Sequence, residues 1–298
     1  MKLKFHTLDV FTNRKFAGNP LAVVLDADGL TTDQMQTITR EFNLSETTFV
    51  LKPDHSSNTA KMRIFFPGGE MSFAGHPTLG TAILLAELRG LDDVRFELKA
   101  GLTPVKILRS AGSYSGTFTA PVVPFHVDVK LPSKAETARA LNLDPADIGF
   151  DGHAIASLEG GPRFFYVPVK TRAALERSRV CEPYWSALLK PLGNGVDAAY
   201  LYTRGGDAPG TTFRARMYCP TGGVPEDPAT GSATALLAAQ LLTAEQLNDG
   251  TYIWHLEQGY EMGRPSDLRL EADVKGGRLS SVRVGGSAVR MFAGEIEL

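Results

Sequence analysis

Two stretches of this chain repeat one another, and a duplicated unit restricts the possible folds more than any other feature of the sequence. "RIFFPGGEMSFAGHPTLGTAILLAEL" from Arg63 and "RMYCPTGGVPEDPATGSATALLAAQLL" from Arg216 follow one plan. Each has a short β-like run, a turn with proline and two glycines, a small residue before a glycine, and then a small, apolar helix. Gly75 falls against Gly231, His76 against Ser232, Thr78 against Thr234 and Ala82 against Ala238. Upstream, "LSETTFVLK" (Leu44 to Lys52) faces "GVDAAYLYT" (Gly195 to Thr203), which sets Glu46 against Asp197. Further back, "AGNPLAVVL" from Ala17 faces "GGPRFFYVPV" from Gly160. The order is kept while the offset shrinks slowly, as loop insertions in a duplicated fold would produce. Glycine and proline turns also recur by chance, which is the alternative reading.

Each half reads strand, turn, strand, then an amphipathic helix ("TTDQMQTITREF" in the first), then more strands. A glycine-led helix follows, at Pro77–Leu88 in one half and Ala233–Leu242 in the other. Both are apolar on nearly every side, and such a helix is buried all round. Strands around a buried helix imply a sheet rolled about it, once per half. The expected fold is therefore α+β, with two pseudo-symmetric domains, each a β-barrel-like sheet wrapped around a central helix. "TAPVVPFHVDVKLP" (119–132), extended and dotted with proline, is the expected crossover. The domains are placed at 1–121 and 122–285, with a last strand near 286–298 expected to return to the first.

With 298 residues, 43% hydrophobic and 21% charged, the chain can bury a sizeable core. Its net charge of −2 and lack of basic runs argue against a nucleic-acid partner. No apolar run is long enough for a membrane span. "MKLKFHTLDVF" alternates like a strand instead of opening as a signal peptide, so a cytoplasmic location is expected. The two cysteines, Cys181 and Cys219, have no CxxC spacing, and the six histidines are scattered without HExxH. GxxxxGK[ST] and GxGxxG are absent, and neither a metal nor an organic cofactor is expected.

A helix start offers unpaired backbone N–H groups and partial positive charge. If the halves face each other, the starts at Gly75 and Gly231 can hold one anion, such as a carboxylate, between them. Glu46, in "NLSETTF", is a lone carboxylate at the edge of a strand otherwise apolar or hydroxylic. Burial there would raise its pKa and let it take and return a proton; a solvated turn acid is the other reading. His76 at the helix mouth can contact a ligand or serve as a cap. Asp227 and Ser232 flank the second glycine step, and capping alone would also account for them. Glu226 beside them reads as exposed. Met62, Met71, Phe65, Phe66 and Tyr218 read as core or pocket lining. A two-thiol racemase would need cysteines where this chain has Ala74 and Thr230.

"DVFTNRKFAGNPLAVVLDADGLTTDQMQTITREFNLSETTFVL", "FAGHPTLGTA" and "GVPEDPATGSA" closely resemble the phenazine-biosynthesis PhzF-like family, which has the diaminopimelate epimerase-like fold. The likeness covers essentially the whole chain. It implies two barrel domains with the site between them, a homodimer, and a small-molecule carboxylate substrate. The family's namesake isomerises trans-2,3-dihydro-3-hydroxyanthranilic acid by moving a proton without metal or cofactor. By resemblance Glu46 is the acid/base residue, and His76, Asp227 and Ser232 complete the catalytic set. Gly75, Gly231, Asn19, Pro77, Thr230 and Gly161 form the implied substrate-binding set. Arg163 departs from the pattern, standing where an apolar or aromatic residue is expected; it adds a cation at the pocket edge or points to solvent. The expected reaction is an isomerisation driven by Glu46. An epimerase or racemase of an amino or hydroxy acid, and a non-catalytic binding member, are the competing readings.

Overall fold

The computed structural model describes residues 1–110, 112–193, 195–196, 198–220 and 224–298. Asp197, the repeat counterpart of Glu46, and the Gly222–Gly223 turn lie outside the described residues. The first half contains β1 (Lys2–Val10), β2 (Asn19–Val24), α1 (Thr32–Phe42), β3 (Glu46–Leu51), β4 (Ala60–Phe66) and β5 (Gly69–Met71). It continues with α2 (Gly75–Arg89), β6 (Asp93–Leu98), β7 (Gly101–Ser110) and β8 (Ser113–Thr119). After a short β9 (Phe125–His126) and α3 (Lys134–Leu141) come β10 (Ala156–Glu159), β11 (Arg163–Pro168), α4 (Arg172–Arg177) and α5 (Tyr184–Leu189). The chain ends with β12 (Ala199–Arg204), β13 (Phe213–Cys219), β14 (Val224–Asp227), α6 (Gly231–Ala244), β15 (Gly250–Gln258), β16 (Ser266–Lys275) and β17 (Arg278–Glu297).

The repeat is a repeat of strand pairing. In the first half β1/β2 is antiparallel, β2/β3 parallel, β3/β4 and β4/β5 antiparallel, β4/β6 parallel, and β6/β7 and β7/β8 antiparallel. From β10 onward the same orientations recur in the same order through β11, β12, β13, β14, β15, β16 and β17. Each run curls around one helix, α2 or α6, to form a barrel.

Neither barrel closes with its own strands. β8 and β17 pair with each other at Ser115–Thr119 and Arg283–Ser287. Beyond that crossing, Ala288–Glu297 runs along β1, while the continuation of β8 into β9 pairs with β10. Each barrel is thus closed by the strand that leaves the other, and the barrels share one continuous sheet.

The two central helices are buried from Gly75 to Ala86 and from Gly231 to Leu241. With no polar face they cannot lie on a surface, and the barrel covers them on all sides. Leu79, Leu84, Leu85, Leu236 and Leu237 are at most 1% exposed. Each such side chain contributes about 1.5–3 kcal/mol by leaving water. Leu84→Ala would cost about 2–5 kcal/mol through the cavity it leaves. Outside the first barrel, α1 lays Met35 and Ile38 against Phe49 and Phe65. Outside the second, α3, α4 and α5 build a core around Trp185. Among the described residues no helix is long and apolar enough to cross a membrane.

Candidate active site

The surface helices and the central helices begin differently. Thr31, Ser133 and Thr171 cap α1, α3 and α4 by accepting a backbone N–H on their hydroxyls. Ala74 and Thr230, the N-cap residues of α2 and α6, make no such bond. The alternative reading of Asp227 and Ser232, that they serve as caps, finds no side-chain cap bond at the start of α6. Ser232 lies inside the first turn of α6, and Asp227 is turned to other partners. The amides of Gly75, His76, Gly231 and Ser232 have no acceptor among the described residues. Each helix start keeps orphan donors and its positive dipole end.

The two starts touch. A Cβ on Gly75 would stand 2.8 Å from Gly231 Cα, from Gly231 carbonyl carbon and from Ser232 N. Only glycine permits this approach of one backbone to another. Beside the contact lies a cavity of about 240 Å³. Its rim includes Ala74, Gly75 and His76 from one helix start and Thr230, Gly231 and Ser232 from the other. Ser45, Glu46 and Asp227 add polar groups, and Phe66, Met71, Phe164, Met217, Cys219 and Val224 make the remaining wall largely apolar. The size is below that of drug-binding pockets, about 300–1,000 Å³, and suits a small metabolite.

Glu46 is the first residue of β3, which pairs in parallel with β2 at Leu21. Its side chain is 16% exposed, but Oε2 is buried and has no hydrogen-bond partner among the described residues. His76 Nε2 lies 3.2 Å away and is equally unpartnered, because the contact is off the hydrogen-bond direction. Burial, and then the neighbouring charge of Asp227, push the Glu46 carboxyl well above the usual carboxylate range. Burial lowers the His76 imidazole to about 3, so the ring is neutral at any physiological pH.

Asn19, fully buried at the start of β2, organises the other side. Its Nδ2 donates to Asp227 Oδ1 at 2.7 Å and to the Ala229 carbonyl at 2.9 Å, and stands 3.2 Å from His76 Nδ1. An amide has two hydrogens, and the two shorter contacts use them. A backbone hydrogen bond at Pro20 opposes the lowering of the imidazole by burial.

Asp227, half-buried at the end of β14, is raised to about 6 by burial, against the lowering effect of its hydrogen bonds from Thr230 and Asn19. Thr230 Oγ1 donates to its Oδ2 at 2.5 Å. Two donors hold Asp227 ionised where Glu46 has none, so Asp227 loses its proton first.

The structure thus brings Glu46, His76, Asp227, Ser232, Gly75, Gly231, Thr230 and Asn19 into one place. Pro77 is buried in the first turn of α2 and Gly161 sits in the β10–β11 turn; neither lines the cavity. Arg163 does line it. Glu226, expected to be exposed, is half-buried in a bidentate pair with Arg216 at 2.8 and 2.9 Å. Tyr218 faces the outer core, bonded to Ser178.

Two polar residues escaped the sequence reading. Ser45 Oγ donates to Asn19 Oδ1 at 3.2 Å; its place beside Glu46 was the available signal. Gln258, at the end of β15, accepts from Thr230 N and donates to the Asp227 carbonyl and Thr230 Oγ1. Nothing local marks it. Among the described residues no group of three or more His, Cys, Asp or Glu is placed to hold a metal ion.

Residues 8–294 match the family described as Phenazine biosynthesis-like protein. The chain belongs to that family. It is 42% identical to an uncharacterised isomerase of Mesorhizobium japonicum over 292 residues, 97% of this chain and 96% of the relative. It is 35% identical to trans-2,3-dihydro-3-hydroxyanthranilate isomerase of Pseudomonas aeruginosa over 297 residues, 99% of each. Among solved structures, a PhzF-family phenazine biosynthesis protein of Bacillus anthracis superposes with a TM-score of 0.88 at 29% identity, covering all of both chains. A hydroxyproline epimerase from Agrobacterium vitis shares the fold alone, with a TM-score of 0.61 at 15% identity over 100% of this chain and 93% of its own. With relatives of this kind along its whole length, the chain is an isomerase.

Proposed function

We propose that the protein moves a carbon-bound proton within a small cyclic acid of the dihydro-hydroxyanthranilate type, with Glu46 as acid and base. The observation that carries this reading is the pairing of an unpartnered, buried Glu46 carboxyl with two uncapped helix starts across a small cavity. The substrate carboxylate accepts hydrogen bonds from the amides around Gly75 and Gly231, where the dipole ends add to the attraction. That contact fixes the reacting carbons beside Glu46.

A carboxylate with a raised pKa is a stronger base than one in water, so the ionised form of Glu46 removes the proton from carbon. The neutral carboxyl then returns it to a second carbon on the same face. Neutral His76, whose Nε2 lies 3.2 Å from Glu46 Oε2, packs beside the carboxyl and limits its movement without adding a charge. Asp227, carrying the negative charge in the second half, orients an amino or hydroxyl group of the substrate with Ser232.

A two-base epimerisation would need a second free acid or base across the substrate. Asp227 is the candidate, but both its oxygens are already engaged by Asn19 and Thr230. The one-base course fits better.

Proton NMR in deuterated water tests the proposal. Trans-2,3-dihydro-3-hydroxyanthranilate and then a panel of cyclic amino and hydroxy acids are offered to the wild type and to Glu46→Gln. Deuterium wash-in or isomerisation that falls at least 1,000-fold in the variant is expected (roughly what loss of an acid/base group costs). Exchange that survives the substitution refutes the role of Glu46. Ligand-induced shifts of protein signals without any exchange would mark a binding protein instead.

A further inference from the structure

We propose that Arg264 is a positioning residue of the active site: it reaches across from the second half, fixes the peptide that leads into Asn19, and through Asn19 aims Asp227 at the substrate. The inference rests on the proposed role of Asp227 in orienting the substrate. Arg264 itself does not line the cavity.

Arg264 stands in the connection between β15 and β16 (259–265), after a turn of 3-10 helix at Tyr260–Met262. Its Nε donates to the Gly18 carbonyl at 2.9 Å. Its Nη2 donates to the Ala17 carbonyl at 2.7 Å and to Asp9 Oδ1 at 2.6 Å. A return bond from Gly18 N to the Pro265 carbonyl, at 3.0 Å, ties the same two segments. The Gly18 carbonyl and the Asn19 nitrogen belong to one planar peptide unit, so holding the carbonyl fixes the direction in which Asn19 leaves the loop. Asp9 braces the loop as well, because its Oδ2 accepts from Phe16 N at 2.7 Å. Gly18 has a φ of +65° and no room for a side chain; a Cβ there would lie 2.3 Å from the Val10 carbonyl oxygen.

The other end of the same connection grips the other loop of the site. Gln258 donates to the Asp227 carbonyl and accepts from Thr230 N. Gly259 lies so close behind that a Cβ would stand 2.5 Å from the Pro228 carbonyl oxygen. Asp227 is therefore held twice from one stretch of chain, directly by Gln258 and at longer range through Arg264, Gly18 and Asn19. Two of the three Arg264 bonds go to the main chain beside Asn19 and one to a carboxylate, so the clamp sets loop position as well as pairing a charge. A guanidinium can do this because its N–H groups form a rigid fork; a lysine ammonium has no fixed fork.

The side-chain amide of Asn19 reports the clamp directly. Its pair of proton–nitrogen NMR signals is assigned by its loss in Asn19→Leu. In Arg264→Met the pair should shift while the rest of the backbone spectrum is preserved, and kcat should fall about 100-fold, the cost of displacing a reacting group by about 1 Å. Arg264→Lys keeps the charge opposite Asp9 and should recover part of both. Arg283→Met is the control for loss of an ion pair alone: Arg283 is as exposed as Arg264 (24% against 25%), binds Asp273 and Glu271, and does not line the cavity. It should leave the Asn19 signals in place and kcat within twofold. Unchanged Asn19 signals in Arg264→Met overturn the inference, as they do in Arg264→Lys if the methionine variant does not fold. A kcat within threefold of wild type in Arg264→Met overturns it too, as does an equal loss in Arg283→Met. A wild type that turns over none of the acids overturns the proposed reaction instead, and the amide signals then decide the clamp alone.

Discussion

Gly75→Ala adds one methyl group at the point where the two central helices meet, and the structure sets its consequence. The new carbon would lie 2.8 Å from three backbone atoms, Gly231 Cα, Gly231 carbonyl carbon and Ser232 N. Carbon atoms rest at about 3.5–4.0 Å, so the helix starts must part by roughly 0.7 Å or more. No side chain can rotate away, because all three atoms belong to the opposite main chain. Overpacking costs about 1–3 kcal/mol, and the upper half of that range is expected here. The parting also widens the amide cradle. Misplacement of about 1 Å can cost about 100-fold in rate, and a comparable loss in turnover should follow. Gly80→Ala is the control. Its Cβ would meet side-chain methyls only, Val10 Cγ2 at 2.6 Å and Leu21 Cδ2 at 2.7 Å. Part of that clash is offset by the gain of about 1 kcal/mol from alanine inside a helix. Urea unfolding reports stability, and deuterium exchange into the substrate reports turnover. Gly75→Ala should lose both, and Gly80→Ala stability alone. Turnover within threefold of wild type in Gly75→Ala would refute the claim that the touching helix starts form the anion seat.

Glu46→Gln should be more stable than wild type at pH 8, with the difference closing toward pH 4. Burial raises Glu46 in the folded state, so the stability tied to its neutral form is full below its unfolded pKa and is lost as pH rises through the folded value. Urea midpoints at the two pH values check this, and a gap that stays constant rules it out. The wild-type kcat/KM should rise with pH through a limb lying above the ordinary carboxylate range if, as proposed, the ionised Glu46 is the base; a falling profile would assign the first step to the protonated acid. Asn19→Leu strips partners from Asp227, Ala229 and Ser45 at once. A loss of about 2–4 kcal/mol is expected, from buried groups left unpaired at about 1–3 kcal/mol each, and calorimetry measures it. Gln258→Leu should lower turnover by tenfold or more while leaving Glu46 in place, read as a change in kcat/KM with an unaltered pH limb; retained activity would make Gln258 merely structural.

Much of the fold was legible because its decisive positions carry local signatures. A glycine step before an all-apolar helix says that the helix is buried and that something approaches its start closely. The repeat of that step says that this happens twice. Local patterns cannot say how barrels close. β17 is a single strand of 20 residues, yet its first part pairs with β16 and β8 and its last part with β1. The matching excursion of β8 into β9 is hidden in a proline-dotted stretch. Such long-range pairing leaves only an alternating pattern that fits either barrel. The site shows the same division. Glu46 and His76 sit in short motifs, while Gln258 and the three-way contact of Asn19 depend on residues far away in the chain. Asp227 and Ser232 fit a capping pattern that the structure does not use, because Asn19 and Thr230 satisfy the aspartate first.

The exchanged strands and the chemistry meet at Phe11. This residue holds a positive φ of 63°, a conformation that costs a non-glycine residue about 1–3 kcal/mol. Its amide donates to the Ser287 carbonyl and its carbonyl accepts from Asp267 N, each at 2.7 Å. Its ring presses on Gly286 at the β8–β17 crossing and on Gly231 at the start of α6, where a Cβ would come within 2.5 and 2.9 Å of it. One side chain therefore spans from the crossing that closes both barrels to the helix start that faces the cavity. Gly75 belongs to the first barrel and Gly231 to the second, and each barrel is completed by the other's strand. Neither half can form its part of the proposed anion seat alone. The strand exchange brings two separate helix starts to contact distance, and the strained Phe11 packs between the crossing and one of those starts.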